Sequence, residues 1–150
     1  MTTAHEMWQA SLENAVKNSL FIGCAAVADY RVAEVADQKI KKTNDNDELS
    51  LKLVKNPDII ASVASLEKDR PFVVGFAAET QNVAEYAKSK LQRKNLDMIC
   101  ANDVSGGQVF GQDQNALQIF WKTGEKSLPL AGKNKLAEVL VTEIVEHYHK

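Results

Sequence analysis

Three short apolar runs share one design, and that repetition limits the fold more than any other feature of the chain. Leu20, Phe21 and Ile22 shrink into Gly23, Cys24, Ala25 and Ala26 before a carboxylate at Asp29. Phe72 to Phe76 passes through Ala77 and Ala78 to Glu79, and Leu96 to Ala101 gives way to Asn102 and Asp103. Runs this short and this apolar are what strands buried on both faces show. Between them lie two amphipathic segments, one striped by Ile59, Ile60, Val63 and Leu66, the other by Val83, Tyr86, Ala87 and Leu91. Buried strands alternating with helices predict a Rossmann-like, three-layer α/β sandwich with a mostly parallel sheet.

In such sheets ligands bind beyond the carboxyl ends of the strands, so narrow side chains there leave room for a guest of nucleotide size. Lys39, Lys41 and Lys42 follow the first run and place three positive charges within four positions. Together these features favour an anionic nucleotide over a neutral metabolite.

Other classes are excluded by composition. The 150 residues predict one domain over 1–150, and a formal net charge of −2 argues against bulk binding of nucleic acid. No apolar run approaches the roughly 18 residues of a membrane span, and MTTAHEM has neither the basic start nor the apolar stretch of a signal peptide, so no membrane role is expected and the chain reads as cytoplasmic. Cys24 and Cys100 lie far apart without a CxxC and read as buried reduced thiols. His5, His147 and His149 sit at the chain ends, which argues against general-base chemistry by histidine; His147 and His149 read as a frayed surface pair rather than a weak metal site, and no metal-ligand set is predicted.

Along the chain, Thr3 and Glu6 have capping-box spacing ahead of a helix striped by Trp8, Leu12, Ala15 and Val16 and ending near Lys17. A helix preceding the first strand is unusual for a βα sheet, whose phosphate loop normally follows a first strand, so the chain is expected to be the carboxyl-terminal portion of a longer protein. Lys39 to Asn56 alternates as an extended flap hairpin, with Leu49, Leu51 and Leu53 on one side and Thr43 to Asp47 as its turn. Its lysines form either a solvated face or a flap over a polyphosphate. Asn56, Pro57 and Asp58 read as cap, first helical residue and dipole partner of a helix.

Thr80 or Asn82 is expected to cap the next helix, Asn82 with Glu85 in capping-box spacing, and Asn95 to end it. Lys90 and Lys94 share a face there, either snorkelling beside the apolar stripe or reaching a phosphate. Ser105 to Asn115 contains glycines but neither a Walker A sequence nor a dinucleotide fingerprint. Ala116 to Trp121, a turn at Thr123-Gly124-Glu125 and Lys126 to Leu130 predict an antiparallel edge hairpin. A last helix from Asn134 carries Leu136, Val139, Leu140, Ile144, Val145 and Tyr148.

In this order, GCAAVADYR, KIKK, LVKNPDII, VVGFAAET, RKNLDMICANDV and a final helix resemble the carboxyl-terminal half of bacterial phosphopantothenoylcysteine synthetase over nearly the whole chain. The resemblance implies CTP-dependent ligation of 4′-phosphopantothenate with L-cysteine through an acyl-cytidylate, with Mg2+ accompanying the triphosphate. It implies a nucleotide rim at Gly23, Cys24, Ala25 and Asp29, a catalytic Lys39 in the flap, and binding residues Pro57, Asp58, Ile59, Ile60, Phe76, Lys90 and Lys94. It further implies a homodimer and a fused phosphopantothenoylcysteine decarboxylase, the only part that would use FMN. The family's glycine-rich amino-terminal βα segment is missing here, so this chain alone is expected to turn over poorly. Two alternatives stay open: a Rossmann-like oxidoreductase, disfavoured by the missing fingerprint, and a non-catalytic binding or dimerisation fragment.

Overall fold

Thr3 opens the first helix, α1 (Ala4–Ala15), with both bonds of a capping box: its hydroxyl accepts from the Glu6 N–H at 3.1 Å, and the Glu6 carboxylate accepts from the Thr3 N–H at 3.1 Å. Hydrogen bonds from the backbone of Thr2 first, and then of Thr3, hold the Glu6 carboxyl below its ordinary range. This computed structural model describes residues 1–41, 49–104 and 114–149, with the backbone alone at 103, 114 and 115. The predicted flap turn at Thr43 to Asp47, Lys42, and the glycine-bearing stretch 105–113 lie outside the described residues.

The remaining elements are β1 (Leu20–Gly23), β2 (Tyr30–Val32), β3 (Leu53–Lys55), α2 (Ile59–Ala64), β4 (Phe72–Glu79), α3 (Val83–Arg93), β5 (Met98–Asp103), β6 (Gln114–Trp121), β7 (Gly124–Gly132) and α4 (Lys133–Tyr148). Among the described residues five strands form one sheet in the order β1-β4-β5-β6-β7. The β1–β4 and β4–β5 pairs are parallel and the β5–β6 and β6–β7 pairs antiparallel, so four of the five strands run one way. Successive residues of a strand face opposite layers. Val73 and Ile99 join Ala15, Val63, Ala87 and Leu91 beneath α1, α2 and α3, while Val74, Met98 and Cys100 join Leu136, Leu140 and Ile144 beneath α4. This is the predicted three-layer sandwich.

Several local expectations are corrected. β1 is an edge strand with β4 as its one partner among the described residues, so Leu20 and Phe21 are half-buried and Ile22 is exposed rather than covered on both faces. Asp58, not Asn56, caps α2: its backbone is extended and its carboxylate accepts from the Ala61 N–H at 3.2 Å. Asn82 is left-handed, with φ 47°, and makes no capping bond, so its predicted box with Glu85 does not form. The flap's described pairing joins β2 to β3, Tyr30 opposite Lys55, so its first strand lies well before Lys39. The β6–β7 turn is the two residues Lys122 and Thr123, because Trp121 pairs directly with Gly124. Val16 and Val145, placed on apolar stripes by spacing, are exposed.

Asn95, left-handed at φ 53°, ends α3 as expected. Beside it Arg70 binds together the ends of β4, α2 and α3. It donates to the carbonyls of Ala64 at 2.8 Å and Asn95 at 2.7 Å and to the Asp97 carboxylate at 2.7 Å, which also accepts from the Val73 N–H at 2.8 Å. His147 lies on the Trp121 ring at 4.2 Å with Nδ1 2.8 Å from the Glu143 carbonyl, and His149 meets the Tyr148 ring. No helix among the described residues is long and apolar enough to cross a membrane.

Candidate functional site

The carboxyl ends of β1 and β4 open into a cleft of about 840 Å³. Its floor is the β1 exit, where Gly23 leads into Cys24, Ala25 and the loop to Asp29. One wall is the entry to α2, Pro57 to Ile60, and another is the end of β4 from Phe76 to Ala78. Lys90 and Lys94 close the side formed by α3. Every site residue expected from the sequence therefore borders this one cleft except Lys39, which is exposed and lies outside its wall. Lys39 stands in the segment between β2 and the stretch beginning at residue 42, with no described strand to fix it.

The narrowness of the strand tips has a second cause. Gly23 and Gly75 are cross-strand partners, and a Cβ on either would meet Ile60 Cδ1, at 2.9 and 3.0 Å. The Ile60 side chain thus fills a notch across β1 and β4 and seats α2 on the sheet. Gly23 serves packing on that side, and the open space lies further out, over Cys24 and Ala25.

The floor is held by Asn56. Its side chain donates to the Ala28 carbonyl at 2.8 Å and accepts from Arg31 at 3.2 Å, and its N–H donates to the Asp29 carbonyl at 2.8 Å. A residue read as a helix cap instead ties the β1 exit loop to the β2–β3 ribbon. Cys24 is exposed, correcting the buried reading, because β1 ends just before it at the sheet edge; Cys100 is buried as expected. Burial pushes the Cys100 thiol up to about 12, with nearby Cys24 a lesser cause, and partial desolvation also raises Cys24.

The charges are arranged unequally. Lys94 Nζ meets Asp58 Oδ2 at 2.8 Å across the cleft between α3 and α2, and Lys90 Nζ meets Glu79 Oε1 at 2.6 Å. Arg93 and Lys55 also line the cleft and make no ion pair among the described residues. Sequence reasoning missed both, as well as Met7 and Ser11, which bring α1 to the cleft. Arg93 was detectable as the third residue after Lys90, on the same helix face; nothing local marks the α1 pair. No group of three or more His, Cys, Asp or Glu among the described residues could hold a metal ion. Chemically, such a cleft suits a polyanion with a flat apolar end: among the described residues it has four cations on its walls and an exposed Phe76 at a strand end.

A second cavity, of about 470 Å³, lies at the opposite end of the sheet between α3 and the β6–β7 turn, where Lys88 is paired with Glu125 at 2.6 Å.

The family described as the DNA/pantothenate metabolism flavoprotein C-terminal domain matches residues 1–148. The coenzyme A biosynthesis bifunctional protein CoaBC of Haemophilus influenzae is 70% identical over 148 residues, which are 99% of this chain and 36% of that relative. The chain thus spans about a third of the length of the curated relatives it matches. A crystal structure of the C-terminal domain of CoaBC is 30% identical with a TM-score of 0.74, over 96% of this chain and 62% of that one. A Cab2 mutant in complex with phosphopantothenate-cysteine is 18% identical with a TM-score of 0.75, over 99% of this chain and 51% of that one, a likeness of fold.

Proposed function

Because the chain belongs to the DNA/pantothenate metabolism flavoprotein C-terminal domain family, we propose that it forms the nucleotide-binding part of a CTP-dependent phosphopantothenate–cysteine ligase of coenzyme A biosynthesis. The observation that carries the reading is the single cleft at the parallel strand ends that gathers Cys24, Ala25, Asp29, the 57–60 helix entry, Phe76, Lys90 and Lys94. The high identity to CoaBC supports the assignment to that pathway.

In this reading a 4′-phosphopantothenate carboxylate oxygen attacks the α-phosphorus of CTP. The new O–P bond forms as the bond to the β-phosphate oxygen breaks, giving acyl-cytidylate and pyrophosphate. The L-cysteine amine then attacks the acyl carbon and expels CMP, leaving the amide. Neither step needs a central histidine. What the first needs is positive charge on the departing pyrophosphate, held in place before the reaction. Lys90 and Arg93 on α3 and Lys94 at its carboxyl end provide it, and Lys39 keeps the catalytic role that the resemblance gives it, as an exposed ammonium without an ion pair among the described residues. Phe76 and the backbone at Ala25 face the base.

Mg2+ fits the donor set only as a companion of the triphosphate: Asp29 is a cleft carboxylate without an ion pair among the described residues, and magnesium commonly takes one or two carboxylates besides phosphate oxygens. When bound it would neutralise phosphate charge. The exposed Tyr30 and Leu53 on the ribbon, with the exposed Leu49 and Leu51 just before its second strand, support a homodimer, since a two-stranded ribbon holds poorly alone. The same reading takes a decarboxylase domain from the bifunctional relatives.

The test is pyrophosphate release by the full-length protein with CTP, 4′-phosphopantothenate and cysteine. Release should require 4′-phosphopantothenate and prefer CTP over ATP. Equal use of both nucleotides, or no release, would sink the proposal.

A further inference from the structure

Lys90 of α3 and Lys94 at its carboxyl end are each paired with a carboxylate, and the two carboxylates are not alike. Asp58 lines the cleft, its side chain is 46% exposed, and its other oxygen caps α2. Glu79 does not line the cleft. Its side chain is 15% exposed, and Lys90 at 2.6 Å is its side chain's sole partner among the described residues. A largely buried carboxylate with one ion pair is weak support for a fold, since desolvation offsets much of the attraction. No helix end or turn among the described residues uses it. It is nonetheless rigidly mounted: Glu79 is the last residue of β4, is paired in register with Asp103, and accepts through its carbonyl from the Val104 N–H at 2.9 Å.

We propose that Glu79 is a positioning residue, holding the Lys90 ammonium from behind so that its remaining donors face a phosphate in the cleft. The inference rests on the reading that a nucleoside triphosphate occupies the cleft. An ammonium has three donors, and Glu79 takes one. A lysine stem is flexible, and fixing it on binding costs side-chain entropy. Pairing with a rigid carboxylate meets that cost before the ligand arrives, and Lys90 stands between the ligand and the negative charge. A lysine set by a glutamate behind it is how other phosphoryl-transfer sites keep a phosphate ligand in place.

Glu79 should therefore matter to the phosphates and not to the base, and only through Lys90. In the full-length protein, Glu79→Gln is expected to raise the Kd for CTP about tenfold, roughly the loss of one charge-assisted hydrogen bond, while the Kd for cytidine stays within about twofold. In a Lys90→Met background the same substitution should add nothing. Glu79→Asp, which keeps the charge but withdraws the oxygen by one methylene, should give an intermediate Kd and serves equally if the glutamine variant folds poorly. Unchanged or tighter CTP binding in the folded variants would overturn the inference alone. So would an equal loss for cytidine, or a full loss in the Lys90→Met background. Wild-type protein that ignores CTP would overturn the functional reading and this inference with it.

Discussion

The sheet has two halves built from the same materials for different ends. In the parallel half, β1, β4 and β5, the first two strands run out into loops that line a cleft; in the antiparallel half, β6 and β7, a two-residue turn closes the hairpin and α4 covers its face. Each half contains a lysine paired with a mostly buried glutamate. Lys90 and Glu79 are 36% and 15% exposed, and Lys126 and Glu143 are 50% and 10% exposed. By burial alone the pairs cannot be told apart. They differ in surroundings: Lys90 borders the cleft, whereas Lys126 of β7 and Glu143 of α4 join a helix to the strand beneath it. A buried carboxylate marks a site only when its partner faces open space.

The largest expected effect breaks the base under the parallel half. Asp97→Ala leaves Arg70 and the Val73 N–H without their shared acceptor and should lower unfolding stability by about 3 kcal/mol in denaturant titration. If less than about 1 kcal/mol is lost, Arg70 finds its support in the Ala64 and Asn95 carbonyls instead.

Next is Lys94→Ala in the full-length protein. It removes a cleft cation and should reduce kcat/KM for CTP-dependent pyrophosphate release about 100-fold, with the unfolding midpoint almost unchanged because the Lys94–Asp58 pair is part exposed. A stability loss without a kinetic one would place Lys94 with the structural pairs. Glu143→Gln should do the reverse, costing about 1–2 kcal/mol of stability while leaving the CTP Kd unchanged. A shift in CTP binding there would erase the distinction between the halves.

Much of this division was legible in the chain. The capping box at Thr3, the three tapering strands, the end of α3 at Asn95 and α4 are local signals that the fold obeys. What escaped was set by partners distant in sequence. Leu20 to Ile22 look as apolar as a central strand, and nothing nearby tells that β1 has one neighbour among the described residues. Asn56 has the side chain of a helix cap, yet its amide goes to Ala28. Gly23 was read as room for a guest, but the packing of Ile60 fills part of that room. Arg93 and the α1 residues reach the cleft through helix placement that periodicity does not report.

The smallest effect separates the rim from the core through the two thiols. Cys24 lies at the cleft and Cys100 in the layer beneath α4, so a thiol reagent should label one cysteine in the native protein and two after unfolding, with CTP slowing the first. Their titration gives the sign of a pH effect. Burial moves the Cys100 thiol from 9.0 to about 12, so the folded chain keeps a proton that the unfolded chain releases. Between those values the folded state binds more protons, and stability must fall as pH rises. At pH 9.5 the expected loss relative to pH 8 is just under about 1 kcal/mol. Cys100→Ala should flatten that part of the profile whatever its effect at pH 8, while Cys24→Ala, at the more open site, should change the slope less. Equal slopes in the wild type and Cys100→Ala would mean that the alkaline decline originates elsewhere, and that the layer under α4 is wetter than its packing implies.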